Sequence, residues 1–175
     1  AKELKAIEPR AQNYANPWGA VNMEKTAEMA LVTDVWQPGM DVIEQLGQPY
    51  VDALRGETGK PVFTYTPPGN ARFLRPLGFF RALPWLCLYW DIDGGGWWTY
   101  YQGDDLFSVE TEPSYGAVNY DGRALVPSRR WEASRDGIED FNAVWLLRDL
   151  AKGDAEVEEL IREAAGYVGK TALTG

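Results

Sequence analysis

The sequence predicts an α/β fold with a parallel sheet, and two observations support this. Short apolar or aromatic runs alternate along the chain with helical segments of about ten or more residues, which is the pattern of βαβ units. The runs are bounded by prolines and glycines, as strands are where they meet loops. The chain has 175 residues, of which 45% are apolar. This size and composition suit one globular core, so we predict a single domain over residues 1–175.

Four strands are predicted from the period-two and aromatic-rich runs. They cover residues 10–16, 31–36, 61–66 and 94–101. The triplet Gly94-Gly95-Gly96 at the start of the fourth run precedes a strand instead of joining a strand to a helix, so we interpret it as a flexible turn and not as a phosphate-binding loop.

Helices are predicted between these strands. They cover residues 1–7, 22–30, 40–55 and 70–90. Asn22 is a suitable N-cap for the second helix. Gly47 and Pro49 indicate an interruption of the third, and Pro84 marks a break or kink in the fourth. Residues 102–127 show no clear period and are predicted to be irregular.

The most informative helix begins after Ser128, whose hydroxyl can cap the first turn. Gly137 should cost this helix about 1 kcal/mol relative to alanine, unless another backbone packs closely against it. The large residues recur at three- and four-residue spacing and are predicted to face the core. This core face comprises Trp131, Ser134, Ile138, Phe141 and Trp145.

Charged residues occupy a second stripe of the same helix. We predict a structural ion-pair network, because opposite charges lie one turn apart at Glu132, Arg135, Asp136 and Glu139. Arg129 or Arg130, beside the N-cap, is a candidate for facing a ligand. Asp154 is predicted to cap a last helix.

Charge and composition exclude several classes of function. The net charge is −9 at pH 7 and the pI is about 4.6, which disfavours a nucleic-acid partner, and the sequence contains no apolar run of membrane-spanning length. Histidine is absent, so the usual Ser-His-Asp, Cys-His and His-zinc chemistries are excluded. Asp91 and Asp93 lack further ligands for calcium. We predict no metal and no cofactor.

Aromatic and polar residues recur at the predicted carboxyl ends of the strands, where α/β folds place their binding sites. Indole and phenol rings stack on the C–H face of a sugar, and carboxylates and amides bind its hydroxyls. These positions therefore favour a carbohydrate ligand. The candidate substrate-binding residues are Asn16, Asp34, Trp36, Tyr65, Trp98 and Tyr100.

Several motifs, taken in order, resemble one family. They are the run at 7–17 (Ile-Glu-Pro-Arg-Ala-Gln-Asn-Tyr-Ala-Asn-Pro), Asp34-Val-Trp, Gly59-Lys-Pro-Val-Phe-Thr-Tyr, Arg81-Ala-Leu-Pro-Trp-Leu, Asp91-Ile-Asp-Gly and the run at 126–141 containing Arg-Asp-Gly-Ile-Glu-Asp. From about residue 1 to 150, the chain resembles the carboxyl-terminal part of β-N-acetylgalactosaminidase-like glycoside hydrolases and their relatives.

The resemblance implies the last four strands and helices of a (β/α)8 barrel. It also implies a retaining hydrolase acting on an N-acetylated sugar, in which an adjacent Asp-Glu pair promotes attack by the substrate's own acetamido group. This sequence contains no Asp-Glu dipeptide. We therefore expect the pair upstream of Ala1 and expect no catalytic residue here. Half a barrel would pair with another chain supplying the other strands, or with a copy of itself.

Two other functions are compatible with the sequence. One is a sugar-binding module without catalysis, and the other is a structural subunit whose aromatic residues form an interface. The sequence leaves the cellular compartment undecided, although polysaccharide degradation would suit an exported protein.

Overall fold

A computed structural model of the protein describes residues 2–17, 22–66, 77–97, 100 and 116–174. The chain divides into two compact units. The first comprises residues 1–66 and 90–96, and the second comprises residues 67–89 and 97–175. Each unit is described separately.

The first unit consists of short strands and helices. In chain order the elements are α1 (Lys2–Ile7), β1 (Tyr14–Ala15), α2 (Met23–Ala30), β2 (Val35–Trp36), α3 (Met40–Leu46), α4 (Gln48–Arg55), β3 (Phe63–Thr66) and β4 (Gly94–Trp97, whose last residue belongs to the second unit). Its core is apolar and centres on Trp36, Ile43, Tyr50, Leu54 and Val62, all fully buried.

The predicted half-barrel of four parallel strands is wrong. β1 and β2 form a parallel two-stranded sheet, and β3 and β4 form a second two-stranded sheet. Isolated parallel bridges, Trp36 to Val62 and Gly39 to Tyr65, lie between these pairs. The strands are two to four residues long, shorter than the predicted runs. Prolines limit them: Pro38 follows β2, and Pro61 has no N–H to donate before β3.

Local signals for the helices of this unit are confirmed. Asn22 caps α2 by accepting a hydrogen bond from the Lys25 N–H at 2.9 Å. The predicted interruption of the helix at 40–55 occurs at Gly47, whose φ of +72° favours glycine and separates α3 from α4.

In its described ranges, the second unit consists of helices and a β-hairpin. Its elements are α5 (Leu77–Tyr89), β5 (Val118–Tyr120), β6 (Leu125–Pro127), α6 (Arg129–Ala151) and α7 (Ala155–Thr174). Both α6 and α7 pack against α5. β5 and β6 pair antiparallel, with Asn119 opposite Val126. This hairpin lies within the segment predicted to be irregular, so that prediction is wrong for residues 118–127.

The caps of α6 and α7 follow the sequence. The Ser128 hydroxyl accepts from the Trp131 N–H at 3.4 Å, and the Asp154 carboxylate accepts from the Glu156 N–H at 2.9 Å. Both predicted N-caps are therefore confirmed. The predicted ion-pair network also forms, since Arg135 contacts the carboxylates of Glu132, Asp136 and Glu139.

Gly137 sits where α6 meets the backbone of α5. A Cβ atom added to Gly137 would lie about 3.0 Å from Arg81 Cα and closer still to the Arg81 carbonyl oxygen. The Arg81 guanidinium binds the Asp140 carboxylate at 2.8 and 3.0 Å one turn further along. The expectation that another backbone explains Gly137 is confirmed.

The predicted core face of α6 is wrong in its phase, although Ser134 is buried as predicted and Trp131 and Phe141 are half-buried. The buried residues are Arg130, Ser134, Gly137 and Val144, whereas Ile138 and Trp145 are 54% and 64% exposed. The close approach at Gly137 explains the difference, because the face containing this glycine is the one on which α5 can pack.

Among the residues that the structure describes, no helix combines the length and the apolar character needed to cross a membrane.

Candidate functional site

The strands of the first unit have one closed face and one open face. Side chains alternate between the two faces of a strand, and the pairing of Ala15 with Trp36 and of Trp36 with Val62 places these three on the same side. Trp36, Val62 and Thr64 are fully buried, and the Thr64 hydroxyl donates to the Pro38 carbonyl oxygen at 3.1 Å. This face belongs to the core.

Three aromatic residues occupy the opposite face. Tyr14 pairs with Val35, and Phe63 and Tyr65 alternate with the buried residues of β3. Tyr14 is 55% exposed, and Phe63 and Tyr65 are half-buried. We call Tyr14, Phe63 and Tyr65 the aromatic face. It offers rings to a ligand at the surface of the unit.

The two tyrosines of the aromatic face lie close to each other. Burial raises the pKa of Tyr14, and the neighbouring Tyr65 hydroxyl raises it further. The Tyr14 hydroxyl therefore stays protonated at neutral pH, and it can donate a hydrogen bond as well as accept one. Such paired phenols suit a neutral polyhydroxylated ligand.

A glycine permits the close packing of β4 beside this face. A Cβ atom on Gly94 would lie 3.3 Å from the Phe63 ring, a tight contact. The interpretation of the glycine triplet as a turn is wrong, because Gly94, Gly95 and Gly96 belong to β4. The small residue lets the strand approach the aromatic ring.

Polar groups border the aromatic face at the carboxyl ends of the strands. Asn16 follows β1 and is exposed, and the backbone N–H of Gln37 donates to the Ala15 carbonyl oxygen at 2.8 Å. The Tyr65 N–H donates to the Pro38 carbonyl oxygen at 3.1 Å. These bonds hold the three strand ends together, so Asn16 and Tyr65 lie at one edge.

Two of the sequence-predicted site residues lie elsewhere in the first unit. Trp36 is in the core and offers no face to a ligand. Asp34 precedes β2, and its carboxylate accepts a hydrogen bond at 2.7 Å from the N–H of Asn13, just before β1. Asp34 therefore stabilises the opposite, amino-terminal edge of this strand pair.

The remaining two predicted site residues are Trp98 and Tyr100. Trp98 lies outside the described residues, and Tyr100 belongs to the second unit. The Tyr100 ring packs edge-on against Trp131, with centroids 5.3 Å apart. Its backbone carbonyl accepts from the N–H groups of Ala117 and Val118 at 3.0 and 2.9 Å. Tyr100 thus lies beside the first turn of α6.

The candidate site residues predicted from the sequence did not include Phe63 or Tyr14. Both follow from strand alternation once β3 and the β1–β2 register are known, because each lies on the face of Tyr65. The signal was present in the Phe63-Thr64-Tyr65 triplet, in which two aromatic residues flank a threonine.

Other potentially reactive side chains form ion pairs or are buried. Arg55 forms an ion pair with Asp93 at 3.2 Å and donates to the Asp91 carbonyl oxygen. Burial raises the pKa of the Cys87 thiol to about 12, so this thiol stays protonated at neutral pH. Within the described ranges, no three histidine, cysteine, aspartate or glutamate side chains converge as metal ligands.

Comparison with protein-family models finds no match to this chain. Comparison with curated proteins also finds no match.

Proposed function

We propose that the protein binds carbohydrate through the aromatic face of its first unit. The observation that carries this proposal is the asymmetry of the strands: one face is fully buried at Trp36 and Val62, while Tyr14, Phe63 and Tyr65 remain accessible on the other. Large rings left at a surface with polar groups at their border are typical of sugar sites, where a ring stacks and hydroxyls bind at the edge.

The favoured ligand is an N-acetylated sugar. Its pyranose C–H face suits the rings of Tyr14 and Phe63, its acetamido carbonyl suits a donor such as the Tyr65 hydroxyl, and its ring hydroxyls suit the Asn16 amide. The motifs that resemble β-N-acetylgalactosaminidase-like hydrolases favour the same ligand class. The net charge of −9 is compatible with a neutral sugar and unfavourable for a polyanion.

We further propose that this binding serves a retaining glycoside hydrolase. Substrate-assisted hydrolysis needs a general acid and a carboxylate that orients the acetamido group. The 175 residues contain no Asp-Glu dipeptide to fill these roles. The proposal therefore predicts binding without hydrolysis for this chain by itself, with the catalytic pair supplied from elsewhere.

Isothermal titration with N-acetylgalactosamine and its short oligosaccharides tests the binding proposal. Tyr14→Ala and Tyr65→Ala should each weaken binding about 10-fold, the effect of removing a stacking ring or a hydrogen-bonding hydroxyl. Tyr167→Ala is the matched control, because Tyr167 is 75% exposed on α7 and should bind like the wild type. Equal losses in all three variants would contradict the assignment.

A chromogenic N-acetylgalactosaminide tests whether the chain by itself hydrolyses the sugar. Release of the chromophore by the chain alone would contradict the need for an external Asp-Glu pair. A structural subunit would show no saturable sugar binding in the titration.

A further inference from the structure

The first turn of α6 combines an accessible helix end with a buried cation. Ser128 caps this helix through the N–H of Trp131. The N–H groups of Arg129 and Arg130 have no acceptor within the helix, because the first turn has no preceding carbonyls. This end of a 23-residue helix carries partial positive charge.

Arg130 is the unusual residue of this turn. It is only 8% exposed, and its Nη1 atom is buried and has no hydrogen-bond partner among the described residues. No carboxylate of the described ranges forms an ion pair with it. Burial alone lowers the pKa of Arg130, whereas hydrogen bonds and neighbouring carboxylates raise the pKa of Arg135 on the same helix.

A buried charge without a partner is unfavourable, so its retention calls for a counter-ion. Arg130 is the second residue of α6, and helical side chains lean toward the amino terminus of their helix, so its side chain belongs to the end that carries the free N–H groups. Tyr100, packed edge-on against Trp131, borders this end with an accessible ring. Guanidinium, backbone amides and ring therefore belong to the same end of α6.

We propose that the amino terminus of α6 binds the carboxylate group of a ligand, held by Arg130. A single guanidinium presents two parallel N–H donors that match the two oxygens of a carboxylate. One carboxylate brings one negative charge, which neutralises one arginine. A phosphate or nucleic-acid ligand would bring more negative charge to a chain that already carries −9. This site lies in the second unit and is independent of the sugar site proposed above.

Nuclear magnetic resonance of the full chain, with 15N-labelled arginine, tests the proposal with sodium acetate as the probe. Loss of one side-chain signal in Arg130→Met assigns Arg130. Acetate should shift the Arg130 signal saturably, and sodium chloride at equal concentration should not. Arg130→Met should reduce acetate affinity about 10-fold or more. Arg135→Met removes the same charge from an exposed position of α6 and should retain the wild-type affinity.

Two results would overturn the proposal. Tighter binding of inorganic phosphate than of acetate would exclude a carboxylate site. The second rival is an ion pair between Arg130 and a carboxylate of the chain itself, such as Asp104 or Asp105, which lie outside the described residues. In that case Asp104→Asn or Asp105→Asn would shift the Arg130 signal, and acetate would not shift it.

Thermal unfolding without added ligand gives a second readout. If Arg130 is unpaired in the free protein, Arg130→Met should melt at the wild-type temperature or higher, because the substitution removes an uncompensated buried charge. A lower melting temperature for Arg130→Met, matched by Asp104→Asn or Asp105→Asn, would show an internal ion pair and contradict the ligand site.

Discussion

The two faces of α6 reverse the usual rule of burial. The face toward the core carries Arg130, Ser134, Gly137 and Val144, which are small or charged, while the outer face carries Ile138 and Trp145. Apolar size alone would orient this helix the other way. The difference teaches that a close backbone contact, at Gly137 against Arg81, can decide which face of a helix packs.

Gly137→Ala should have the largest effect on this comparison. The new methyl would overlap the Arg81 backbone, which cannot move as a flexible side chain can, so we expect a loss of about 3 kcal/mol in the free energy of unfolding. Chemical denaturation measures it. The control is Gly78→Ala on α5, where a Cβ meets nothing within 4 Å and should stabilise by up to about 1 kcal/mol. Equal effects of the two changes would refute the close contact.

Val144→Ala should cost less, about 2 kcal/mol, because it removes two buried methyl groups and leaves a small cavity. Denaturant unfolding again gives the value. An unchanged free energy of unfolding would place Val144 outside the core and favour the face predicted from the sequence.

Trp145→Ala should change the free energy of unfolding by no more than about 0.5 kcal/mol, because the indole is 64% exposed. A core tryptophan would cost about 3–5 kcal/mol on the same substitution. The measurement therefore separates the two orientations of α6 directly, and a loss in the larger range would restore the predicted core face.

The Arg81–Asp140 ion pair should give a small, pH-dependent effect. Hydrogen bonding to Arg81 lowers the pKa of Asp140 below that of an unfolded aspartate, about 3.9. Its contribution is therefore present above the unfolded pKa and is lost as the pH falls through the folded pKa. Asp140→Asn should destabilise the protein slightly at neutral pH and not at all at about pH 2. A difference that persists in acid would assign the effect to packing.

Local signals in the sequence predicted local structure well. Ser128, Asp154 and Asn22 are caps because their side chains bond N–H groups three residues or fewer away, which a sequence displays directly. Gly137 indicated a close backbone contact. The sequence did not identify the partner, because Arg81 lies 56 positions earlier in the chain (137 − 81). The phase of α6 depends on that distant contact, and periodicity alone assigned it to the wrong face.

The sequence predicted only part of the candidate site, because contacts between distant parts of the chain determine the rest. The carboxyl ends of β1 and β3, with β2 between them, bring Asn16 and Tyr65 to one edge, as expected for neighbouring parallel segments. Trp36 is buried in the core, and Asp34 lies at the opposite edge. The register of a strand decides which face each side chain occupies and which residues lie at the end of the strand. A shift of one residue moves a side chain from the exposed face to the core, and β2 is only two residues long.

The most direct test of carbohydrate binding at the aromatic face is a ring-resonance titration of protein labelled with 13C-tyrosine. We predict that N-acetylgalactosamine oligosaccharides shift the Tyr14 and Tyr65 signals saturably and leave the Tyr167 signal unchanged. Saturable shifts confined to tyrosines of the second unit, or no saturable shift at any tyrosine, would contradict the proposed site.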